Sequence, residues 1–140
     1  MRKKKITKPK QIIGRKELVD FPELGIAGIT AKIDTGAYSN TLHCHDIHVK
    51  DGDLCFKVLA PDHPVFSQKN HCFAEFSQKN IKNSFGKVEK RYTIKTKIKI
   101  AGRLIKSIIS LSDRAAMRYP VLIGRKLLKN KFVVDVSLKN

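Results

Sequence analysis

Asp34 closes an apolar stretch, "AKID", and is followed at once by Thr35, Gly36 and Ala37. Two chemistries fit an acid so placed. As a turn, Gly36 permits a tight reversal, the Asp34 carboxylate accepts turn N–H groups, and Thr35 caps the bend. As a reacting group, Asp34 would need a second carboxylate a few ångströms away. Two such acids cannot both ionise, so an acid and a base coexist, titrate as one unit and activate a water held between them. Gly36 would then let the backbone pass closely beneath the acid, and the Thr35 hydroxyl would bond across the pair. The chain has only one Asp-Thr-Gly. A second copy, related by two-fold symmetry, must therefore supply the other acid.

A second cluster, "HCHDIH" at 43–48, holds three His, a Cys and an Asp. On a regular strand His43 and His45 share one face, and Cys44, Asp46 and His48 the other. With His63, His71 or Cys72 these could complete a tetrahedral zinc site. The usual spacings are missing, since there is neither a C-x-x-C pair nor an H-E-x-x-H. Structural or incidental roles are the plainer expectation, and no metal is assigned. The chain also has no phosphate-binding G-x-x-x-x-G-K-[ST] loop and no dinucleotide glycine pattern, so no cofactor is expected. Cys44, Cys55 and Cys72 are odd in number and unpaired in spacing. They are expected as free thiols of a reducing compartment rather than as a disulfide framework.

Charge narrows the partners. Twenty-nine Lys and Arg face 12 Asp and Glu, a formal net charge of +17. Such a surface attracts polyanions and repels its own copies at low salt. Composition does not choose between nucleic acid, a membrane surface and an acidic peptide. There is no Trp, and the few aromatic residues are scattered, so no base-stacking platform is evident. No apolar run approaches the roughly 20 residues needed to span a bilayer. A soluble, cytoplasmic protein without a membrane partner is expected.

The elements that must position these residues read mainly as short strands. Residues 1–10 form a basic arm, and 11–140 a single domain. "IIGRKELV" (12–19) and "ITAKID" (29–34) are strands joined by a turn through Pro22, Gly25 and Gly28. "TLHCHDIHV" and "LCFKVLA" flank the hairpin signal "KDGD". In "RYTIKTKIKI" (91–100) Tyr92, Ile94, Thr96, Ile98 and Ile100 share one face, and Arg91 with three lysines the other. That pattern predicts a half-exposed antiparallel strand. "LIKSIISLS", "PVLIG" and "KFVVDVSL" are further strands, "RKLLKN" is a short helix, and "DRAAMRY" makes a helical turn before Pro120. The repeated "FSQKN" (66–70 and 76–80) is read as a loop duplication. "IIGRK" (12–16) and "LIGRK" (122–126) hint at internal pseudo-symmetry.

Five segments, in order and spacing, carry a resemblance: "IGRKEL" (13–18), "AKIDTGAYSNTLH" (31–43), "GKVEKRYTIKTKIKI" (86–100), "LSDRAAMRYPVLIGRKLL" (111–128) and "KFVVDVS" (131–137). Together they resemble the retropepsin family of aspartic peptidases, in its bacterial RimK-associated branch, often labelled ATP-dependent zinc protease. The resemblance implies a single-domain, mainly β, closed barrel or sandwich with one or two short helices. It implies catalysis by Asp34, supported by Thr35 and Gly36, in a homodimer whose interface includes the last strand. Ala37, Gly124, Asp113 and His43 would lie near the site, Gly124 leaving room for the catalytic loop.

The substrate implied is an acidic peptide, such as the glutamate tail of a ribosomal protein, and the associated partner an ATP-grasp ligase. Arg114, Arg125, Arg118, Arg91 and Lys32 are then the candidates for holding substrate carboxylates. Asp113 would hold a neighbouring arginine or cap the next turn. The region able to supply a flap, 61–91, departs from the viral pattern, being longer, Lys-rich and with Gly86 as its one glycine. Two other readings stand beside this one: a basic domain docking on RNA or the ribosome with weak nucleic-acid binding, and a zinc hydrolase using residues 43–48.

Overall fold

The computed structural model describes residues 9–59, 68–82, 85–113 and 118–140. Its strands are β1 (Gln11–Phe21), β2 (Ile26–Ile33), β3 (Asn40–Lys50), β4 (Asp53–Val58), β5 (Asn70–Phe73), β6 (Ser77–Lys82), β7 (Val88–Ile100), β8 (Arg103–Ser112), β9 (Val121–Ile123) and β10 (Phe132–Lys139). One helical turn, α1 (Arg125–Leu128), and a 3-10 turn (Pro22–Leu24) complete the described elements.

Alternation makes the wall. In β7 Ile94, Thr96, Ile98 and Ile100 are buried while Lys95, Lys97 and Lys99 are exposed. A strand with one apolar side turns that side toward the core, and curling the sheet on itself pairs most of its edges. Here β1 pairs antiparallel with β2, β2 parallel with β9, β9 antiparallel with β3, β3 parallel with β8, and β8 antiparallel with β7. Pairing of Val19 with Ile100 and of Asp20 with Lys99 then brings β7 back to β1 and closes a six-stranded barrel. Val19, Phe21, Leu42, Ile98, Val121 and Ile123, none exposed, fill it. Burying side chains of this size contributes about 1.5–3 kcal/mol each.

Peripheral strands extend the ring. β10 lies parallel beside β1, and β6 pairs with β7 as a hairpin whose turn passes through Gly86. β4 and β5 continue from β3 as a separate small sheet. Both tight hairpins turn through paired positive-φ residues, Asp51–Gly52 and Ala101–Gly102, the twist that suits adjoining strands. On the β1–β10 side Ile12 (67%), Val133 (50%) and Val136 (71%) remain exposed.

The fold and its short helix at 125–128 match the expectation, while several local readings need correction. The stretch 61–91, treated as loop and flap candidate, contains β5 and β6, and the second "FSQKN" runs into β6 instead of forming a loop. These strands are polar and gain their order from pairing, which leaves little alternation to read. Cys55 and Cys72 are not free thiols. Antiparallel pairing of β4 with β5 sets them opposite one another, Cα–Cα 4.1 Å, in a disulfide. The regular alternation assumed for 43–48 fails at Asp46, which takes a positive φ of 54° where the β3–β4 register shifts. Ile47 packs on the core after this bulge, so His48 does not share the face of buried Cys44. Residues 1–8 of the arm, residues 114–117 of the helical turn before Pro120, His63 and Arg114 lie outside the described residues.

Candidate active site

β2 delivers Asp34 to the end of the barrel, and β9 fixes it there. The Asp34 N–H donates to the Ile123 carbonyl at 2.8 Å, prolonging the parallel β2–β9 pairing by one step. The chain then turns. Ala37 N–H donates to the Asp34 carbonyl at 3.1 Å, and Gly36 N–H to Asp34 Oδ1, also at 3.1 Å. Asp34 is half-buried, while Thr35 and Gly36 are exposed.

The far side of this loop rests on the start of α1. Arg125 N–H donates to the Ala37 carbonyl and Lys126 N–H to the Tyr38 carbonyl, each at 2.9 Å. The contact is so close that a Cβ on Gly124 would stand 2.5 Å from the Ser39 carbonyl oxygen and 2.7 Å from the Tyr38 carbonyl carbon. Gly124 is extended at φ −99°, so space and not backbone conformation demands the glycine. Buried Asn40 ties the corner together. Its Oδ1 accepts from Gly124 N–H at 3.0 Å, and its Nδ2 donates to Ser107 Oγ at 2.8 Å and the Ile108 carbonyl at 3.2 Å.

The expected arginines fall in different places. Arg125 reaches the loop, donating from Nη1 to the Thr35 carbonyl at 2.9 Å with its guanidinium 5.9 Å from the Tyr38 ring. Arg91 stands across an open hollow of about 240 Å³ bounded by Tyr38, Ser39 and Asn40 on the loop side and by Lys79, Arg91 and Lys126 elsewhere. Its one described ion pair is with Glu89, at 3.9 Å. Lys32 and Arg118 belong to a second cationic group around half-buried Tyr119, whose ring lies 5.1 Å from Lys16 Nζ. A hydrogen bond with Lys16 and these neighbouring cations pull the Tyr119 phenol below the usual tyrosine range. Asp113 is exposed and, among the described residues, makes no ion pair within 4.0 Å.

The His43 backbone is part of the wall, its N–H donating to the Pro120 carbonyl at 2.8 Å. Cys44 is buried, and burial pushes its thiol well above the ordinary range. Among the described residues no three His, Cys, Asp or Glu side chains lie close enough to hold a metal ion. Tyr38, Asn40, Lys79 and Lys126 are the site neighbours that sequence reasoning missed. Only "AYSN", directly after the Asp-Thr-Gly, offered a signal for the first two.

A closed barrel thus presents Asp-Thr-Gly on a loop pinned by the apolar-apolar-Gly strand β9 and the start of α1. A solved Legionella pneumophila protein of unknown function has the same fold, with TM-score 0.65 and 24% identity, covering 94% of this chain and 97% of that one. The chain belongs to the RimB-like family of retropepsin-like aspartic endopeptidases, whose model matches residues 12–140. At the level of the family it is thus an aspartic-type peptidase.

Curated relatives carry another name. A probable alpha-L-glutamate ligase of Shewanella halifaxensis is 33% identical over 136 residues, 91% of this chain but 29% of the ligase. The corresponding protein of Desulfotalea psychrophila is 33% identical over 138 residues, 93% of this chain and 29% of that protein. One from Parasynechococcus marenigrum is 28% identical over 130 residues, 90% of this chain and 28% of that protein. The chain thus spans under a third of the length of these relatives. Among the described residues no helix is long and apolar enough to cross a membrane.

Proposed function

We propose that this chain supplies half of an aspartic peptidase, the Asp34 carboxylates of two copies sharing one proton and activating water to cut acidic, glutamate-rich peptides. The observation that carries the reading is the Asp34 loop. It is held from both sides by backbone hydrogen bonds to 123–126, with Asp34 half-buried and Thr35 and Gly36 exposed. In the cleavage step the charged carboxylate takes a proton from water as the oxygen attacks the peptide carbonyl. The protonated carboxyl gives its proton to the carbonyl oxygen. Collapse of the tetrahedral intermediate returns a proton to the leaving amine.

The exposed apolar residues Ile12, Val133 and Val136 favour a second copy docking along β1 and β10. Cations favour an acidic substrate: Arg91, Lys79 and Lys126 beside Tyr38 on the loop, and Lys16, Lys32 and Arg118 around Tyr119. Relatives named as glutamate ligases, in which a segment like this chain makes up under a third of the length, favour a domain that works beside glutamate addition. Removal of the added residues is the complementary activity, and an ATP-grasp ligase the partner it implies.

Hydrolysis of a peptide with a C-terminal run of glutamates, followed by mass spectrometry, tests the proposal. Wild type is expected to shorten the tail, and Asp34→Asn, still folded by circular dichroism, to leave it intact. Equal hydrolysis by both proteins would make Asp34 structural. Salt-sensitive RNA binding by both, without cleavage by either, would favour the docking reading.

A further inference from the structure

We propose that the uncovered edge of β8, Leu104–Ser107, is a strand-addition site for an extended acidic polypeptide. A lysine-lined hollow along that edge leads the bound chain to the Asp34 loop.

The edge follows from the pairing. β7 covers one side of β8 from Arg103 to Ser110, but β3 covers the other only from Ile109 to Ser112. Among the described residues no strand lies on the second side of Arg103–Ile108. Two side-chain bonds bracket the gap: Asn40 Nδ2 to the Ile108 carbonyl, and Arg103 Nη1 to the Lys131 carbonyl at 3.2 Å. A strand with a free edge offers N–H and C=O groups to another backbone.

Charge selects what can lie there. An open hollow of about 400 Å³ runs beside the edge, and Lys95, Lys106, Lys126 and Lys131 line it with no carboxylate among its residues. None of the four makes an ion pair among the described residues. The β7–β8 register even sets Lys97 directly opposite Lys106, a like-charge pairing that an anion would relieve. This hollow borders the one beside Tyr38 and Ser39, Ile108 and Lys126 lining both, so a chain bound along β8 would run toward the Asp34 loop. A nucleic acid offers no peptide backbone to pair with the β8 edge, and no aromatic ring lines the larger hollow for base stacking. An extended acidic peptide satisfies both the edge and the lysines. The proposal deepens the reading of an acidic substrate, although binding at β8 does not require cleavage.

The test uses the Asp34→Asn chain, which leaves a substrate uncut, and a fluorescent peptide of about ten glutamates, long enough to pair along a strand of usual length. Lys106→Glu/Lys131→Glu is expected to weaken binding at least about tenfold in anisotropy titrations at low salt. Lys50→Glu/Lys69→Glu, with the same change in net charge, is expected to leave it within about threefold. Peptide is also expected to slow hydrogen exchange of the Leu104–Ser107 amides. Equal loss in both double variants, or unchanged exchange at 104–107, would overturn the proposal and leave the lysines as guards against edge-to-edge aggregation. Preference for RNA of equal charge, with the same lysine dependence and no peptide binding, would overturn it as well. If wild type fails to hydrolyse the peptide yet binds it at β8, the docking site stands and the catalytic reading falls. If wild type hydrolyses it with KM and Kd unmoved by the lysine reversals, the catalytic reading stands and the docking site falls.

Discussion

Asp34 depends on Gly124 through the loop that follows it. A Cβ at 124 would strike the Tyr38–Ser39 backbone, so Gly124→Ala must push the loop away from β9 or strain α1. The expected cost is about 1–3 kcal/mol, read by denaturant unfolding, with a larger loss in kcat because the acid moves with the loop. The sequence pointed to both residues through their motifs, and the structure supplies the reason they need each other. Arg125 was legible only as a cation. That it holds the Thr35 carbonyl and stacks on Tyr38 depends on a crossing that no local pattern encodes. His71 was legible only as a stray ligand. It is buried with its ring 5.7 Å from Phe56, and burial followed by the Lys69 charge lowers its pKa. The unfolded imidazole protonates near pH 6.5 while the folded one resists, so stability is level above about pH 6.5 and falls below it. Urea midpoints measured between about pH 7 and 5 should drop by no more than the equivalent of about 1.4 kcal/mol per pH unit for this group, and His71→Phe should flatten the curve.

Strands with one buried side announce themselves. β7 was readable residue by residue because its lysines and isoleucines alternate without a break, and Asp51–Gly52 marked its hairpin for the same local reason. β5 and β6 were not, because their ladders are set by partner strands and their side chains are largely polar. The same non-local register hides the Cys55–Cys72 bridge, whose members are 17 residues apart in sequence. A bridge of that span contributes about 3 kcal/mol in the chain-entropy account. Replacing both cysteines by serine should lower the unfolding free energy by about that much. Thiol titration of the oxidised protein under denaturing conditions should find Cys44 alone, and three thiols should appear after reduction. The two "IGRK" segments prove to share a physical task. At Gly14 as at Gly124 a second backbone passes too close for a Cβ, here the Leu138 carbonyl at 2.5 Å, so the repetition records two crossings at close range.

Two chains of net charge +17 must meet for the proposed site to form, while the proposed substrate is drawn by that same charge. Salt acts oppositely on the two steps. Screening favours the dimer and weakens peptide capture, since the Debye length falls from about 10 Å at 0.1 M to about 3 Å at 1 M. Hydrolysis of a glutamate-tailed peptide should therefore pass through a maximum as sodium chloride rises, with the dimer fraction by sedimentation climbing throughout. The composition made this opposition legible, but not where the charges lie. The hydrogen bond from Asp34 to Ile123 carries one more implication, in the order of synthesis. The acid is translated before the wall on which it hangs. A nascent chain, or a fragment ending before Val121, holds the aspartate without the support that aims it. Such a nascent chain spells the motif without holding it in place, and Asp34 is aimed only once β9 has emerged.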